Sequence, residues 1–172
     1  MFQQSPTKVK AKAITQVGIV VKDLQKAMES YWNILGIGPW RVYNWDAPLV
    51  YDRKYHGKSS RAREKIADTM VGSVQFELCQ PIEGNSIYQD FLTEHGEGLH
   101  HLQFPVDDVD KTMEILGKQG FPTIQSARHG PVEYNCGYGY IDIKPLYTIW
   151  EPVHEPENLV LEHERYPNEA QS

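Results

Sequence analysis

The 172-residue chain has little cysteine, no long apolar segment and no excess of positive charge. Its two cysteines, Cys79 and Cys136, are too few for a disulfide framework and form no CxxC motif, which predicts two reduced thiols. No apolar run approaches the roughly 18 residues of a membrane-spanning helix, and residues 1–6 lack the apolar core of a secretory signal. These absences together predict a cytoplasmic protein.

The charge balance argues against nucleic acids and membrane surfaces as partners. The chain has 17 basic and 23 acidic residues, which gives a formal net charge of −6. A protein that binds polyanions needs a basic face, and this balance disfavours one. Hydrophobic residues at 40% and aromatic residues at 11% are globular values, and the length fits one domain.

Polarity divides the chain into three parts. Residues 1–12 are polar and aperiodic, which predicts a flexible N-terminal arm. Residues 13–154 carry the periodic patterns and predict a single domain. Residues 155–172 are rich in glutamate, asparagine and proline, which predicts a polar C-terminal tail that packs little, although the apolar residues at 159–161 can dock.

Two stretches of the domain share one order of predicted elements. In the first, a helix at 24–35 is capped by Asp23, and strands are predicted near 14–21, 40–45, 61–69 and 74–79. In the second, a helix from about 109 to 117 follows Asp108, and strands are predicted near 99–106, 122–128, 137–143 and 146–153. A capping box that starts at Ser86 predicts a linker helix at 86–95.

The second stretch repeats the first. A shift of 85 residues aligns Gln16 with His101 and several further positions of the two strand–helix openers. The closing strands align Glu77 with Glu151 at a shift of 74, so about eleven residues between 45 and 60 are extra in the first stretch. We therefore expect an α+β fold of two paired βαβββ modules, at about 13–80 and 98–154, in one curved sheet.

Each module offers one polar residue in its first strand and one glutamate in its last. If those strands are neighbours, the four side chains converge. One imidazole, one amide oxygen and two carboxylates suit a divalent cation of intermediate hardness, namely Zn, Co, Ni, Mn or Fe, with room for water or substrate. Alternatively, the four side chains face solvent or are satisfied polar groups. They are Gln16, Glu77, His101 and Glu151.

Residues 14–153 resemble the vicinal oxygen chelate superfamily, which includes glyoxalase I, methylmalonyl-CoA epimerase, extradiol dioxygenases and bleomycin-resistance proteins. The likeness lies in ITQVGIVVKDLQKAMESYWNILGIG, VQFELCQP, GEGLHHLQFPVDDVD and YTIWEPV, and SIYQDFLTEHGEGLHHL is similar to the glyoxalase and epimerase branch. The resemblance implies a cup-like mixed sheet, a homodimer and one divalent metal ion per chain, held by Gln16, Glu77, His101 and Glu151. Glyoxalase I of the zinc type uses the same Gln/Glu/His/Glu set in the same order.

The donor set separates the branches of this superfamily, because its fold hosts many reactions. Non-haem iron dioxygenases need two histidines and a carboxylate. Here Gln16 takes the first donor position, and His100 should point to the face of its strand opposite His101. The bleomycin-binding branch lacks the metal, whereas all four donors are present in this chain. Dioxygenase and drug-binding chemistry are therefore disfavoured.

The remaining chemistry is proton transfer next to the carbonyl of a small molecule, by a metal-dependent isomerase, epimerase or lyase. Glu151 is the predicted principal base and Glu77 the second. A non-catalytic protein that sequesters a small molecule in the same cup is the alternative. Segment 47–61 lacks the further glutamate expected of a methylmalonyl-CoA epimerase, and no motif matches the glutathione-binding arginines of glyoxalase I.

Other polar and aromatic residues carry weaker predictions. Candidates for substrate contact are Arg41, Tyr43, Trp45, Asn135 and Tyr140. Surface positions are expected for His56, His95, His129, His154 and His163.

Overall fold

The computed structural model of the protein describes residues 7–156 and 159–168. Half of the predicted N-terminal arm and part of the predicted C-terminal tail therefore lie outside the described residues. Within them, eleven strands form one mixed sheet in the order β11-β2-β5-β6-β1-β7-β10-β9-β8-β3-β4.

The bounds of most elements match the predicted ones within two residues. The α-helices are α1 (Leu24–Leu35), α2 (Ile87–His95) and α3 (Val109–Lys118). The strands are β1 (Gln16–Val20), β2 (Trp40–Trp45), β3 (Val50–Tyr55), β4 (Lys58–Ser59), β5 (Arg63–Val71), β6 (Val74–Glu83), β7 (Gly98–Pro105), β8 (Thr123–His129), β9 (Gly137–Ile143), β10 (Thr148–His154) and β11 (Glu164–Tyr166).

The two modules have equivalent strand pairings on either side of the contact between β1 and β7. In module one, β1 pairs in parallel with β6, and Gly18 lies opposite Glu77. In module two, β7 pairs in parallel with β10, and Gln103 lies opposite Glu151. The 85-residue shift relates Gly18 to Gln103, so these registers confirm the predicted repeat and the fold of paired βαβββ modules.

A hairpin of β3 and β4 accounts for the extra residues of module one. It follows β2 in the chain, yet β3 pairs with β8 of module two. Arg53 on β3 places Nη1 2.5 Å from Oε2 of Glu64 on β5. Its guanidinium also donates to the carbonyl oxygens of Ala62 at 2.8 Å and Trp45 at 3.1 Å. The ion pair joins β3 to β5, which lie far apart in the strand order of the curved sheet.

Helices cover both faces of the curved sheet. The apolar face of α1, with Leu24 and Met28, packs on the outside of module one. Leu116 of α3 packs on the outside of module two. The linker helix α2 instead lies on the inner face, where Ile87 and Tyr88 belong to the core that fills one end of the cup.

The described part of the C-terminal segment packs more closely than the sequence predicts. Strand β11 pairs antiparallel with β2, which would otherwise be an edge strand with unpaired backbone groups. Leu161 packs against the core inside the cup. The polar composition of this segment gave no sign of the strand pairing, because pairing at an edge depends on the partner's backbone rather than on side-chain pattern. Within the described residues, no helix is long and apolar enough to span a membrane.

Candidate functional site

A cavity of about 560 Å³ opens on the concave face of the sheet. Strands from both modules line it, and each strand contributes the alternate residues that point inwards. Gln16 of β1 and Glu77 of β6 come from module one, and Glu151 of β10 comes from module two. The cavity therefore lies across the junction of the two repeats.

The structure brings the four predicted donors together at the floor of this cavity. Nε2 of His101 lies 3.1 Å from Oε1 of Gln16, 3.3 Å from Oε2 of Glu151 and 3.4 Å from Oε2 of Glu77. Gln16, His101 and Glu151 are buried, with 4%, 0% and 3% of their surface exposed. The solvent-facing alternative for these three side chains is therefore wrong.

Neighbouring polar groups hold the donor side chains in place. Gln103 donates from Nε2 to Oε1 of Gln16 at 3.1 Å and to Oε2 of Glu151 at 3.2 Å. Nε2 of Gln16 donates to Oε1 of Gln75 at 2.7 Å, which turns its carbonyl oxygen towards His101. Sequence reasoning missed Gln103, although it lies two residues after His101 and so on the same face of β7.

His100 does not point to the opposite face of β7, and that prediction is wrong. The pairing of β1 with β7 shifts between Gly18, opposite His101, and Ile19, opposite Leu99, so His100 is the extra residue of a β-bulge. Its Nδ1 lies 2.9 Å from Nδ1 of His101. The strict alternation of side chains fails at a bulge, and the two imidazoles meet edge to face.

The charges of the donor cluster are strongly coupled. Burial raises the pKa of Glu151, His101 lowers it and Glu77 raises it, with a net rise. Burial alone would lower the pKa of His101, but Glu151 and Glu77 outweigh it and raise that pKa. Burial, reinforced by His101, holds the pKa of His100 well below its ordinary value. The two carboxylates thus shift the pKa of His101 upwards, whereas burial shifts the pKa of His100 downwards.

A third carboxylate, Asp68 of β5, lies in the cup and was missed by sequence reasoning. Its Oδ1 accepts from Nε of Arg41 at 2.6 Å. Burial raises the pKa of Asp68 to about 6, although Arg41 lowers it. Alternate residues of β5 point into the cup, and this alternation in the sequence could have identified Asp68. The inward residues are Ile66, Asp68 and Met70.

Four of the five weaker candidates line the cup: Arg41, Tyr43, Trp45 and Tyr140. The ring of Tyr140 lies 5.1 Å from that of His101, between centroids, and its hydroxyl is 2.6 Å from that of Tyr88. The fifth, Asn135, lies in a separate depression beside the start of α3, so the structure does not bring it to the cup. His129 also departs from expectation: it is 1% exposed and lines the cup, because β8 extends to include it.

The chemistry of the donor cluster fits a divalent cation. Ligand atoms of one metal ion lie about 3.0–3.4 Å apart when metal–ligand distances are about 2.1 Å. The three distances from His101 Nε2 fall in that range. In the described part of the chain, however, no three His, Cys, Asp or Glu side chains already have the spacing of a metal centre. The donors are instead joined to one another by hydrogen bonds.

Solved structures share this fold. The hypothetical protein BH1468 from Bacillus halodurans is 19% identical, with a TM-score of 0.60 over 88% of this chain and 100% of its own. Methylmalonyl-CoA epimerase from Mycobacterium tuberculosis is 22% identical, with a TM-score of 0.57 over 88% of this chain and 93% of its own. At these identities the likeness shows the fold.

Sequence comparison finds two curated relatives. An uncharacterized protein, YqjC of Bacillus subtilis, is 26% identical over 106 residues, 62% of this chain and 66% of that protein. The mitochondrial methylmalonyl-CoA epimerase of Mus musculus is 28% identical over 119 residues, 69% of this chain and 59% of that protein. The chain thus spans less than two thirds of the length of each. A family model matches residues 15–140, and the chain belongs to the Glyoxalase/Bleomycin resistance protein/Dioxygenase superfamily.

Proposed function

We propose that this protein is a metal-dependent isomerase or epimerase that transfers a proton next to the carbonyl of a small molecule. The observation that carries the proposal is the convergence of four donors on one point of the cup, with His101 Nε2 3.1–3.4 Å from the oxygens of the other three. The similarity to methylmalonyl-CoA epimerases supports the epimerase form.

The residues that would hold the cation are Gln16, Glu77, His101 and Glu151. A bound divalent cation would act as a Lewis acid on the substrate carbonyl and stabilise the negative charge that develops there. Its identity stays open among Zn, Co, Ni, Mn and Fe, because nitrogen and carboxylate donors suit all of them.

Glu151 is the proposed principal base. Burial raises the pKa of its carboxylate to about 7 in the metal-free cup. A bound cation would lower that pKa, so the carboxylate would leave the cation to accept the proton. Glu77 lies on the other side of His101, on a strand of the other module, and is the proposed second base. Two carboxylates on separate modules allow removal of the proton on one face of the substrate and its return on the other.

Proton exchange with solvent tests this proposal directly. Methylmalonyl-CoA, a CoA thioester with an acidic α-hydrogen, is the first substrate to test, because similar proteins are named methylmalonyl-CoA epimerases. The zinc- or cobalt-loaded protein should exchange that hydrogen for deuterium in D₂O, as followed by ¹H NMR, and chelator-treated protein should not. A panel with the hemithioacetal of glutathione and methylglyoxal distinguishes glyoxalase-type isomerisation.

The sequestering alternative has one observation in its favour. The donors already have polar partners in the cup through hydrogen bonds with one another and with Gln103. Tight binding of a small aromatic or carbonyl compound by metal-free protein, without exchange under any metal, would favour this alternative. The homodimer and the cytoplasmic location stay predictions.

A further inference from the structure

His100 and His101 form a buried imidazole pair whose purpose is not explained by packing. Their Nδ1 atoms are 2.9 Å apart, a hydrogen-bond distance, and the two residues are 2% and 0% exposed. The β-bulge at His100 creates this contact, since regular alternation would place the two rings on opposite faces of β7. A bulge that re-aims one side chain beside a site is typical of functional positions.

The rest of the His100 pocket is aromatic. Its ring makes edge contacts with Tyr88 and Phe91 of α2 at centroid distances of 5.1 and 5.0 Å, and with Tyr140 at 5.9 Å. Among the described residues, Nε2 of His100 has no hydrogen-bond partner. An apolar ring would remove the unpaired Nε2 but would leave Nδ1 of His101 without its partner, so an imidazole at this position supplies the hydrogen bond to His101.

The number of protons on the two rings determines which ring donates the hydrogen bond and which accepts it. Only one proton fits between two Nδ1 atoms at this distance, so one ring donates and the other accepts. For His101 to offer an unprotonated Nε2 to the cup, its single proton must lie on Nδ1, and Nδ1 of His100 must then accept it. A ligand histidine is commonly oriented in this way through its other nitrogen, by a carboxylate, a carbonyl or a water.

We propose that His100 is the positioning residue of this site: it accepts the Nδ1 proton of His101, fixes the tautomer and ring plane of His101, and so presents Nε2 to the cation. This inference rests on the proposed metal site. An imidazole serves here where a carboxylate would add a further negative charge to a cup that already contains Glu77, Glu151 and Asp68.

Metal affinity of three variants tests the inference. Isothermal titration with Zn²⁺ and Co²⁺ should show a loss of about 10–100-fold for His100→Leu, the usual effect of removing a partner of a ligand histidine. His100→Asn places an amide oxygen near the position of Nδ1 and should lose less than about tenfold. Phe91→Leu removes an aromatic neighbour of His100 but keeps both imidazoles and the hydrogen bond between them, and should keep the wild-type affinity.

A measurement on the wild-type protein makes the test independent of how the variants fold. In the zinc-loaded protein, two-bond ¹H–¹⁵N spectra of histidine should show His101 protonated at Nδ1 and His100 protonated at Nε2. Wild-type affinity in a folded His100→Leu variant, or a zinc-loaded His100 protonated at Nδ1, would overturn this inference alone. Absence of metal binding by the wild-type protein would overturn the metal site as well.

Discussion

Gly18 lies against the imidazole of His101 so closely that no other residue fits there. A Cβ built on Gly18 would fall 1.9 Å from Cε1 and 2.3 Å from Nε2 of that ring. Gly18 is also the register partner of His101 across β1 and β7. Glycine is therefore required at this position because the His101 ring lies so close to the backbone, and not because of the backbone angles.

Gly18→Ala should displace the His101 ring and remove its Nε2 from the donor cluster. We expect metal affinity to fall by more than about tenfold, because a ligand nitrogen is lost or misaimed. Isothermal titration with Zn²⁺ measures the effect. Gly117→Ala is the matched control: a Cβ there meets nothing within 4 Å, and alanine in a helix costs about 0.5–1 kcal/mol less than glycine. Equal affinities of Gly18→Ala and wild type would contradict the placement of His101.

Replacing Glu151 separates proton transfer from metal binding. Glu151→Gln keeps an amide oxygen for the cation but removes the base, so kcat should fall by about 10²–10⁴ while metal binding is partly retained. Glu77→Gln should also slow the reaction, with unequal effects on the two enantiomers if the carboxylates serve opposite faces. Steady-state kinetics and metal content of the same samples measure both effects. Unchanged turnover in metal-loaded Glu151→Gln would place the base elsewhere.

Loss of one partner of the buried Arg53–Glu64 pair should destabilise the protein more than loss of both partners. Both side chains are almost fully buried, so removing one leaves an unpaired charge inside the protein. Glu64→Gln or Arg53→Met should each lower the free energy of unfolding by about 3–5 kcal/mol, and the double variant Arg53→Met with Glu64→Leu by much less. Urea denaturation of the three variants measures these changes.

Arg63 supplies the control for that experiment. It immediately precedes Glu64 on β5 and makes ion pairs with Asp46 and Glu83, but its side chain is 53% exposed. Arg63→Met should change the stability far less than Arg53→Met, since solvent screens exposed pairs. Equal losses for the two arginines would mean that burial does not decide the strength of these interactions.

Asp68 should make the stability depend on pH between about 4 and 6. Its folded pKa is raised from 3.8 to about 6, so the folded protein holds a proton that the unfolded chain releases. The associated stability is fully present below about pH 4 and is lost as the pH rises through about 6, by up to roughly 3 kcal/mol. Asp68→Asn removes this dependence. Urea titrations of chelator-treated protein at pH 4, 5, 6 and 7 compare the two, and parallel curves would contradict the prediction.

Local signals in the sequence decided the helices and the repeat. The predicted N-caps Asp23, Ser86 and Asp108 all accept hydrogen bonds from the third residue beyond them, at 2.9–3.3 Å. Capping needs only neighbouring residues, which is why the helix starts were predictable. The 85-residue shift that aligns Gln16 with His101 was also visible in the sequence, because both modules place polar side chains at equivalent inward positions.

Contacts between distant segments decided the rest. The pairing of β3 with β8, the partner of β11 and the bulge at His100 all depend on which backbone lies alongside, and that information is absent from side-chain periodicity. Asp68 likewise lies beside Arg41 because β2 pairs with β5 in a register that places these two residues opposite each other. The sequence by itself determined the two modules and the four candidate donors. Only the tertiary structure decided that His100 meets His101, because one extra residue in a ladder reverses the facing of a side chain.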